Sequence, residues 1–209
     1  MKRILVSVAL LVGMGAVLPL AMTAPQPFEV PTTWELEFDF QAPQPITLTL
    51  PGHKKPTTFW YMFYTVTNLT RNLDTGQGSD QDFIPEFTMF TDAGQTVVSN
   101  RRMPGGVFNA IMKRHNNPLL KDHTAIIGKL LYGRDNAKDG VAIWPDFSDK
   151  TGSLDVFVGG LSGETAELKL PSPVTVTETD IDGVEKTVVK EKVILHKAMQ
   201  LNFSVKGEN

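Results

Sequence analysis

Cysteine is absent from the 209-residue chain, and its absence removes several classes of function. Without a thiol the chain has no disulfide framework, no cysteine nucleophile and no thiolate metal site. A lipid anchor carried on cysteine is excluded for the same reason. Exported eukaryotic domains of this size usually carry disulfides, so a cysteine-free exported chain fits a bacterial periplasm, envelope or culture medium better.

An excess of basic residues is also lacking. The chain has 20 Lys and Arg against 23 Asp and Glu, a formal net charge of −3. Loss of an N-terminal leader containing Lys2 and Arg3 would leave 18 basic against 23 acidic residues. Because phosphate contacts need a basic patch, nucleic acid is not expected as a partner. Hydrophobic residues make up 41% of the chain, enough to build a packed core in one domain.

Residues 1–24 have the pattern of a signal peptide. Lys2 and Arg3 form a basic start, residues 4–18 are apolar, and Pro19 comes before a group of small residues. We therefore expect a cleaved leader and a secreted or periplasmic protein. The alternative is a protein held in the membrane by an uncleaved N-terminal segment, because the apolar run approaches the length of a membrane span.

The rest of the chain is expected to form a proline-rich spacer, residues 25–33, and one domain, residues 34–209. In this domain the segment "WELEFDFQ" alternates apolar and polar residues, as expected of a half-buried strand. A helical pattern covers residues 105–117, and an Asp-Gly pair marks a hairpin over residues 173–195. With nine or ten short strands, the sequence predicts an all-β, immunoglobulin-like antiparallel sandwich with one helical insertion and a long C-terminal hairpin.

Two segments are ambiguous in the sequence. "HTAIIGKLLYG" fits a helix or a strand, and its paired isoleucines and Gly128 favour a strand. The last strand loses its alternation at Lys197, which predicts a β-bulge near His196.

One strand is apolar on both faces, and the second face needs a cover. In "TTFWYMFYTVTN" the residues Trp60, Met62, Tyr64 and Val66 lie on one face, and Phe59, Tyr61 and Phe63 lie on the other. The apolar stripe of the helix at residues 105–117 is the favoured cover. In the alternative, Tyr61 and Phe63 form an exposed patch that binds an envelope protein.

Two short stretches resemble immunoglobulin-like domains of exported bacterial proteins. They are "YTVTN" at Tyr64–Asn68 and "FTMFTDAGQTV" at Phe87–Val97, within a region of about 40 residues. Together with "DGVAIWPDF" and "GGLSGE", the aromatic strand is similar to an uncharacterised family of secreted bacterial proteins. This resemblance implies the fold and export, and implies no chemistry.

Two weak ligand sites are suggested by residue type. Asp74, Asp80 and Asp82 lie in one glycine-rich loop, and oxygen ligands on such a loop suit Ca²⁺, although a solvated acidic loop is the simpler interpretation. Trp144 precedes Pro145 at the end of a strand, where an exposed ring could stack on a sugar; core packing is the commoner fate of tryptophan.

A catalytic constellation is not evident. Ser162 lies in "GGLSG", a near match to the Gly-x-Ser-x-Gly motif, but the segment after it reads as a strand instead of a helix. His115 and His123 flank a turn with Asp122 between them, and no serine or second acid is tied to them by spacing. The sequence therefore predicts an exported envelope binding or structural module without a catalytic centre. The alternatives are a carbohydrate- or Ca²⁺-binding module and, less favoured, a hydrolase.

Overall fold

The computed structural model describes residues 28–30, 34–52, 54–99, 103–179 and 185–205. It is 54% strand and 11% helix, with several antiparallel sheets, so the all-β antiparallel fold expected from the sequence is confirmed. The signal peptide expected at residues 1–24 lies outside the described residues. Within the expected spacer, residues 28–30 form a strand.

The described residues form thirteen strands and two α-helices. The strands are β1 Phe28–Val30, β2 Glu37–Phe40, β3 Gln44–Leu48, β4 Thr57–Thr67, β5 Gln81–Phe83, β6 Glu86–Thr91, β7 Thr96–Val98, β8 Gly128–Leu130, β9 Lys138–Pro145, β10 Ser153–Gly159, β11 Thr165–Thr179, β12 Glu185–His196 and β13 Met199–Ser204. The helices are α1 Gly105–His115 and α2 His123–Ile126, and a 3₁₀ turn covers Arg134–Asn136.

The aromatic strand β4 is the centre of the first sheet. Strand β9 pairs along one edge of β4, and β2 and β3 share the other edge. A second sheet has the strand order β13-β10-β6-β7. Strands β5 and β8 form a small two-stranded sheet, and β11 pairs with β1 on one side and β12 on the other. All of these strand pairs are antiparallel.

Between the first two sheets lies the main core of the sandwich. From β4 it receives Met62, Tyr64 and Val66, with Trp60 packed at its margin. The facing sheet contributes apolar residues from alternate positions of β6 and β10: Phe87, Met89, Leu154, Val156 and Val158. This alternation places one face of each strand in the core, as the sequence pattern predicts.

The opposite face of β4 is covered by α1. Val107 and Ile111 of α1 are fully buried in a second core with Phe59 and Tyr61, and Phe63 packs at its edge. The helix forms because its apolar residues recur at helical spacing. It ends at His115, because the next residue, Asn116, adopts a left-handed conformation with φ 49°. The prediction that the helix covers the second apolar face of the aromatic strand is therefore confirmed.

Two local expectations are corrected by the structure. The segment at residues 123–126 is a helix, because Asp122 Oδ1 accepts hydrogen bonds from the backbone N–H groups of Thr124 (2.9 Å) and Ala125 (2.7 Å) and so caps it. The expected strand begins only at Gly128. The break near His196 is not a bulge: β12 ends there in one sheet and β13 starts at Met199 in another.

The C-terminal hairpin is longer than the sequence indicated. Instead of residues 173–195 it spans β11 and β12, from Thr165 to His196, with an irregularity in register between Lys169 and Val174. The turn at residues 180–184 lies outside the described residues. Of the described side chains of β11 and β12, none belongs to either core.

Candidate functional site

A row of polar side chains crosses the first sheet on the face that α1 partly covers. Asp39 of β2 pairs with Thr65 of β4, and Thr65 pairs in turn with Asp139 of β9. Directly paired residues point to the same face, so two carboxylates flank one hydroxyl. Thr65 Oγ1 donates a hydrogen bond of 2.7 Å to Asp139 Oδ1. With strands spaced about 4.8 Å apart, the backbones of Asp39 and Asp139 lie roughly 10 Å apart.

This row forms the floor of an open cleft of about 420 Å³. The cleft lies where the helix-covered, apolar part of the sheet meets its polar part. Its lining consists of Asp39, Phe40, Gln41, Phe63, Tyr64, Thr65, His115, Asn117, Leu120, Asp139 and Gly140. No lysine or arginine is among these residues, so the cleft presents carboxylates, amides and an imidazole beside an aromatic ring.

His115 closes the end of the cleft nearest the helix. As the last residue of α1, it brings its Nε2 within 2.8 Å of the hydroxyl of Tyr61. Its ring also meets Phe63 edge to face, with centroids 4.6 Å apart. The Tyr61 hydroxyl is thereby satisfied although the side chain is 0% exposed. The contact joins the end of α1 to β4 and fixes one wall of the cleft.

Tyr64 lies in the lining of the cleft, but its side chain points to the other face of β4. Its ring lies in the sandwich core, 4.8 Å from that of Phe87, and burial raises the pKa of the phenol above its ordinary value. Gly140 is its partner on β9, where a Cβ atom would overlap the Tyr64 ring. The glycine therefore leaves the space that the tyrosine ring occupies.

Burial of Tyr64 predicts that the free energy of unfolding falls above about pH 10. The folded-state pKa is raised, so the contribution of Tyr64 is complete below the unfolded-state pKa and is lost as the pH rises through the folded-state pKa. One proton of difference lowers the free energy of unfolding by about 1.4 kcal/mol per pH unit. Urea unfolding at about pH 9 and about pH 11 should therefore show a shallower fall for Tyr64→Phe than for the wild type. Parallel pH profiles would contradict the assignment.

The structure places the three binding residues expected from the sequence, Tyr61, Phe63 and Trp144, in different environments. Tyr61 and Trp144 are both 0% exposed, so their expected role as surface binding residues is corrected: the helix covers the first, and the sandwich core encloses the second. Phe63 is half-buried and borders the cleft. Of the three, Phe63 alone lies where a ligand could meet its ring.

The three aspartates of the glycine-rich loop do not form one site. Asp80 Oδ1 accepts a hydrogen bond of 3.1 Å from the backbone N–H of Tyr132, and Asp82 lies in β5 opposite Lys129. Asp74 is exposed in a turn in which Asn72 Oδ1 accepts its backbone N–H. Nowhere in the described residues do three His, Asp or Glu side chains come close enough to hold a metal ion together.

The residues considered for hydrolysis have structural roles. Asp122 caps α2, and Ser162 Oγ accepts a hydrogen bond of 3.0 Å from the backbone N–H of Glu164. Asp122 borders a cleft beside Lys138, whereas Ser162 borders a different one beside Trp34 and His196. His123 begins α2 and borders neither cleft. The structure thus does not gather these groups in one pocket.

Sequence reasoning missed the row of Asp39, Thr65 and Asp139. The alternation of "WELEFDFQ" places Asp39 on the polar face of its strand, but nothing in the sequence links it to Asp139, which follows it by 100 residues. Their proximity depends on the register of β2 and β9 along β4. The one available signal is that Asp39 sits between Phe38 and Phe40 in an alternating strand; Asp139, between Lys138 and Gly140, carries none.

The helices of the described residues include none with the length and apolar character that crossing a bilayer requires. Comparisons with models of protein families, with curated proteins and with solved structures find no match for this chain.

Proposed function

We propose that the protein is an exported envelope binding module and that the cleft over Asp39, Thr65 and Asp139 binds a neutral, hydroxyl-rich ligand, that is, a glycan. Export rests on the signal-peptide pattern of residues 1–24. The observation that carries the binding role is the composition of the cleft, in which carboxylates and amides surround an aromatic ring.

The chemistry of the lining favours sugars over other small ligands. Carboxylates of Asp39 and Asp139 accept hydrogen bonds from hydroxyl groups, and the amides of Gln41 and Asn117 both donate and accept them. The ring of Phe63 offers an apolar surface to the C–H groups of a sugar. Because two carboxylates stand without a lysine or arginine in the lining, an anionic ligand would be repelled.

Asp39 is the best single position for testing this function. Its carboxylate is exposed and makes no hydrogen bond or ion pair within the described part of the chain, so the Asp39→Asn variant should fold normally. A hydrogen bond to a charged group contributes about 1.5–3 kcal/mol, so we expect its loss to weaken glycan binding by about tenfold or more. Isothermal titration calorimetry with chitotetraose, cellotetraose and tetragalacturonate measures the effect.

Binding of a neutral tetrasaccharide and no binding of the galacturonate would support the proposal. Asp149→Asn is the matched control, because Asp149 is also exposed but does not line the cleft. Failure of both neutral glycans to bind, or equal affinity in Asp39→Asn, would contradict a glycan site here. Release of new reducing ends during incubation would show that the protein hydrolyses the glycan instead of only binding it. Asp39 and Asp139 would then be the carboxylic acids to test by substitution.

A further inference from the structure

A second cleft lies on the outer face of the second sheet. It measures about 420 Å³, and among the described residues it shares no lining residue with the cleft of the proposed glycan site. Glu86 and Thr88 of β6 pair with Gly159 and Phe157 of β10, and the core residues of both strands alternate with these four. The four residues therefore face away from the sandwich core, and they form the floor of this cleft.

Two aromatic rings and an isoleucine give the cleft apolar walls. The ring of Phe157 is half-buried and meets that of Phe90 edge to face, with centroids 5.4 Å apart. The indole of Trp34 lies over Gly163, where a Cβ atom would overlap it, and the Trp34 carbonyl accepts a hydrogen bond of 3.1 Å from the Gly163 N–H. Ile84 is 58% exposed at the rim. The rings are thus held in place while part of their surface stays open to a ligand.

Glu86 supplies a carboxylate that no other group engages. It is exposed and makes no hydrogen bond or ion pair within the described part of the chain. Gly159 lies opposite it, and a Cβ atom on this glycine would stand 3.9 Å from Glu86 Oε2. The carboxylate therefore lies over the glycine. Asp82 adds a second exposed carboxylate; Lys129 stands opposite it in the small sheet, but the two form no ion pair in the described structure.

The basic groups of the lining do not neutralise these carboxylates. Lys197 Nζ lies 2.9 Å from a carboxylate oxygen of Glu164 and 3.4 Å from one of Glu35, so its charge is already balanced. His196 also lines the cleft, and histidine side chains are generally neutral at about pH 8. The cleft therefore presents a negative potential to a ligand.

Aromatic rings beside a free carboxylate are the chemistry that recognises an organic cation. Such rings attract positive charge at their faces and also take up apolar surface. Glu86 attracts an ammonium group, whereas an anionic ligand would be repelled. A bare metal ion fits less well, because the described residues nowhere bring three His, Asp or Glu side chains together. An ammonium group on an apolar chain matches both parts of the lining.

We propose that this cleft binds an alkylammonium ion, with its charge at Glu86 and its apolar chain against Trp34 and Phe157. A small amine and the lysine side chain of a peptide share this chemistry, and the experiment separates the two. Because the glycan cleft has a different lining, either proposal can fail alone.

Methyl NMR titration at about pH 8 tests the proposal, because it measures weak binding and shows which side chains respond. Pentylamine should shift the methyl signals of Ile84 and Ala198, which both line the cleft. Its neutral counterpart, 1-pentanol, should bind about fivefold more weakly. Glu86→Gln should weaken pentylamine binding about fivefold, and Trp34→Leu about threefold.

Glu191→Gln is the matched control, because Glu191 is exposed on β12 and its replacement changes the net charge equally. It precedes His196 by five residues of extended strand, roughly 17 Å. Charges this far apart are largely screened at about 0.15 M salt, so the affinity should not change. Acetyl-Gly-Lys-Gly-amide is the second ligand. If it binds more tightly than pentylamine, the cleft takes a peptide; if it binds more weakly, the cleft takes a small amine.

Equal affinity for pentylamine and 1-pentanol would overturn the proposal, because the cleft would then recognise apolar surface alone. The same holds for an equal loss in Glu86→Gln and Glu191→Gln, and for the absence of a shift at Ile84. The methyl spectrum of each variant without ligand shows whether the fold is intact. Because Glu86 is exposed, its variant gives the decisive comparison even where Trp34→Leu disturbs the packing on Gly163.

Discussion

Replacement of Ile111 by alanine is expected to lower the free energy of unfolding by about 2–4 kcal/mol. Ile111 is fully buried between α1 and β4, in the core that contains Phe59 and Tyr61. The substitution removes apolar contacts and leaves a cavity. The helix cannot move closer to β4 to fill it, because the side chain of Val107 remains packed in the same core. Urea unfolding followed by tryptophan fluorescence measures the change.

Lys113→Ala is the control for this prediction, since Lys113 is exposed on the same helix and its removal should change stability by less than about 0.5 kcal/mol. Hydrogen exchange should also become faster in α1 of the Ile111→Ala variant. A loss of stability as small as that of the control would mean that α1 does not hold the second face of β4 in solution. The alternative interpretation, in which a partner protein binds the aromatic face, would then be favoured.

The cleft depends on the same helix. His115 reaches Tyr61 and Phe63 only because α1 lies across β4, so the wall of the cleft and the cover of the aromatic face are one structure. Loosening α1 should therefore weaken binding in the cleft as well as stability. Asp39→Asn, by contrast, should affect binding alone. The two variants separate a structural effect from the loss of a ligand contact.

The sequence predicted the elements whose signals are local. The alternation around Phe38, the helical stripe of Val107 and Ile111, and the Asp-Gly pair at residues 182–183 each report on a few adjacent residues. The first two patterns are determined by which face is buried, and the structure follows them. The Asp-Gly pair lies outside the described residues, but β11 and β12 pair on either side of it. The cover of β4 could also be inferred, because an apolar stripe and an apolar face in one chain usually pack together.

The features that could not be predicted depend on distant parts of the chain or on a single side chain. The row of Asp39, Thr65 and Asp139 needs the registers of two strand pairs, which no local pattern specifies. The helix α2 contains four residues and is decided by the cap at Asp122. The break after His196 reflects a change of sheet, where Lys197 forms ion pairs with Glu35 and Glu164.

Replacement of Gly160 by alanine is the second change for which a large effect is expected, a loss of about 2–4 kcal/mol. Gly160 follows β10 with φ 81°, a conformation that costs a residue with a Cβ atom about 1 kcal/mol. The added Cβ would also overlap the carbonyl oxygen of Ile84 and lie 2.9 Å from its carbonyl carbon. The obstacle is backbone, which cannot rotate away as a flexible side chain can, so the strand β10 or the segment at Ile84 must shift.

Gly94→Ala separates these two costs. Gly94 has nearly the same conformation, φ 79°, but nothing lies within 4 Å of the position its Cβ would take. Its substitution should therefore cost only the conformational part, about 1 kcal/mol. Urea unfolding of both variants gives the difference, which reports on the contact between Gly160 and Ile84. The same turn, which leads from β10 to β11, makes a second contact one residue later, where the carbonyl of Leu161 accepts a hydrogen bond from the Leu36 N–H. Equal losses in the two variants would show that the turn between β10 and β11 is not packed against Ile84.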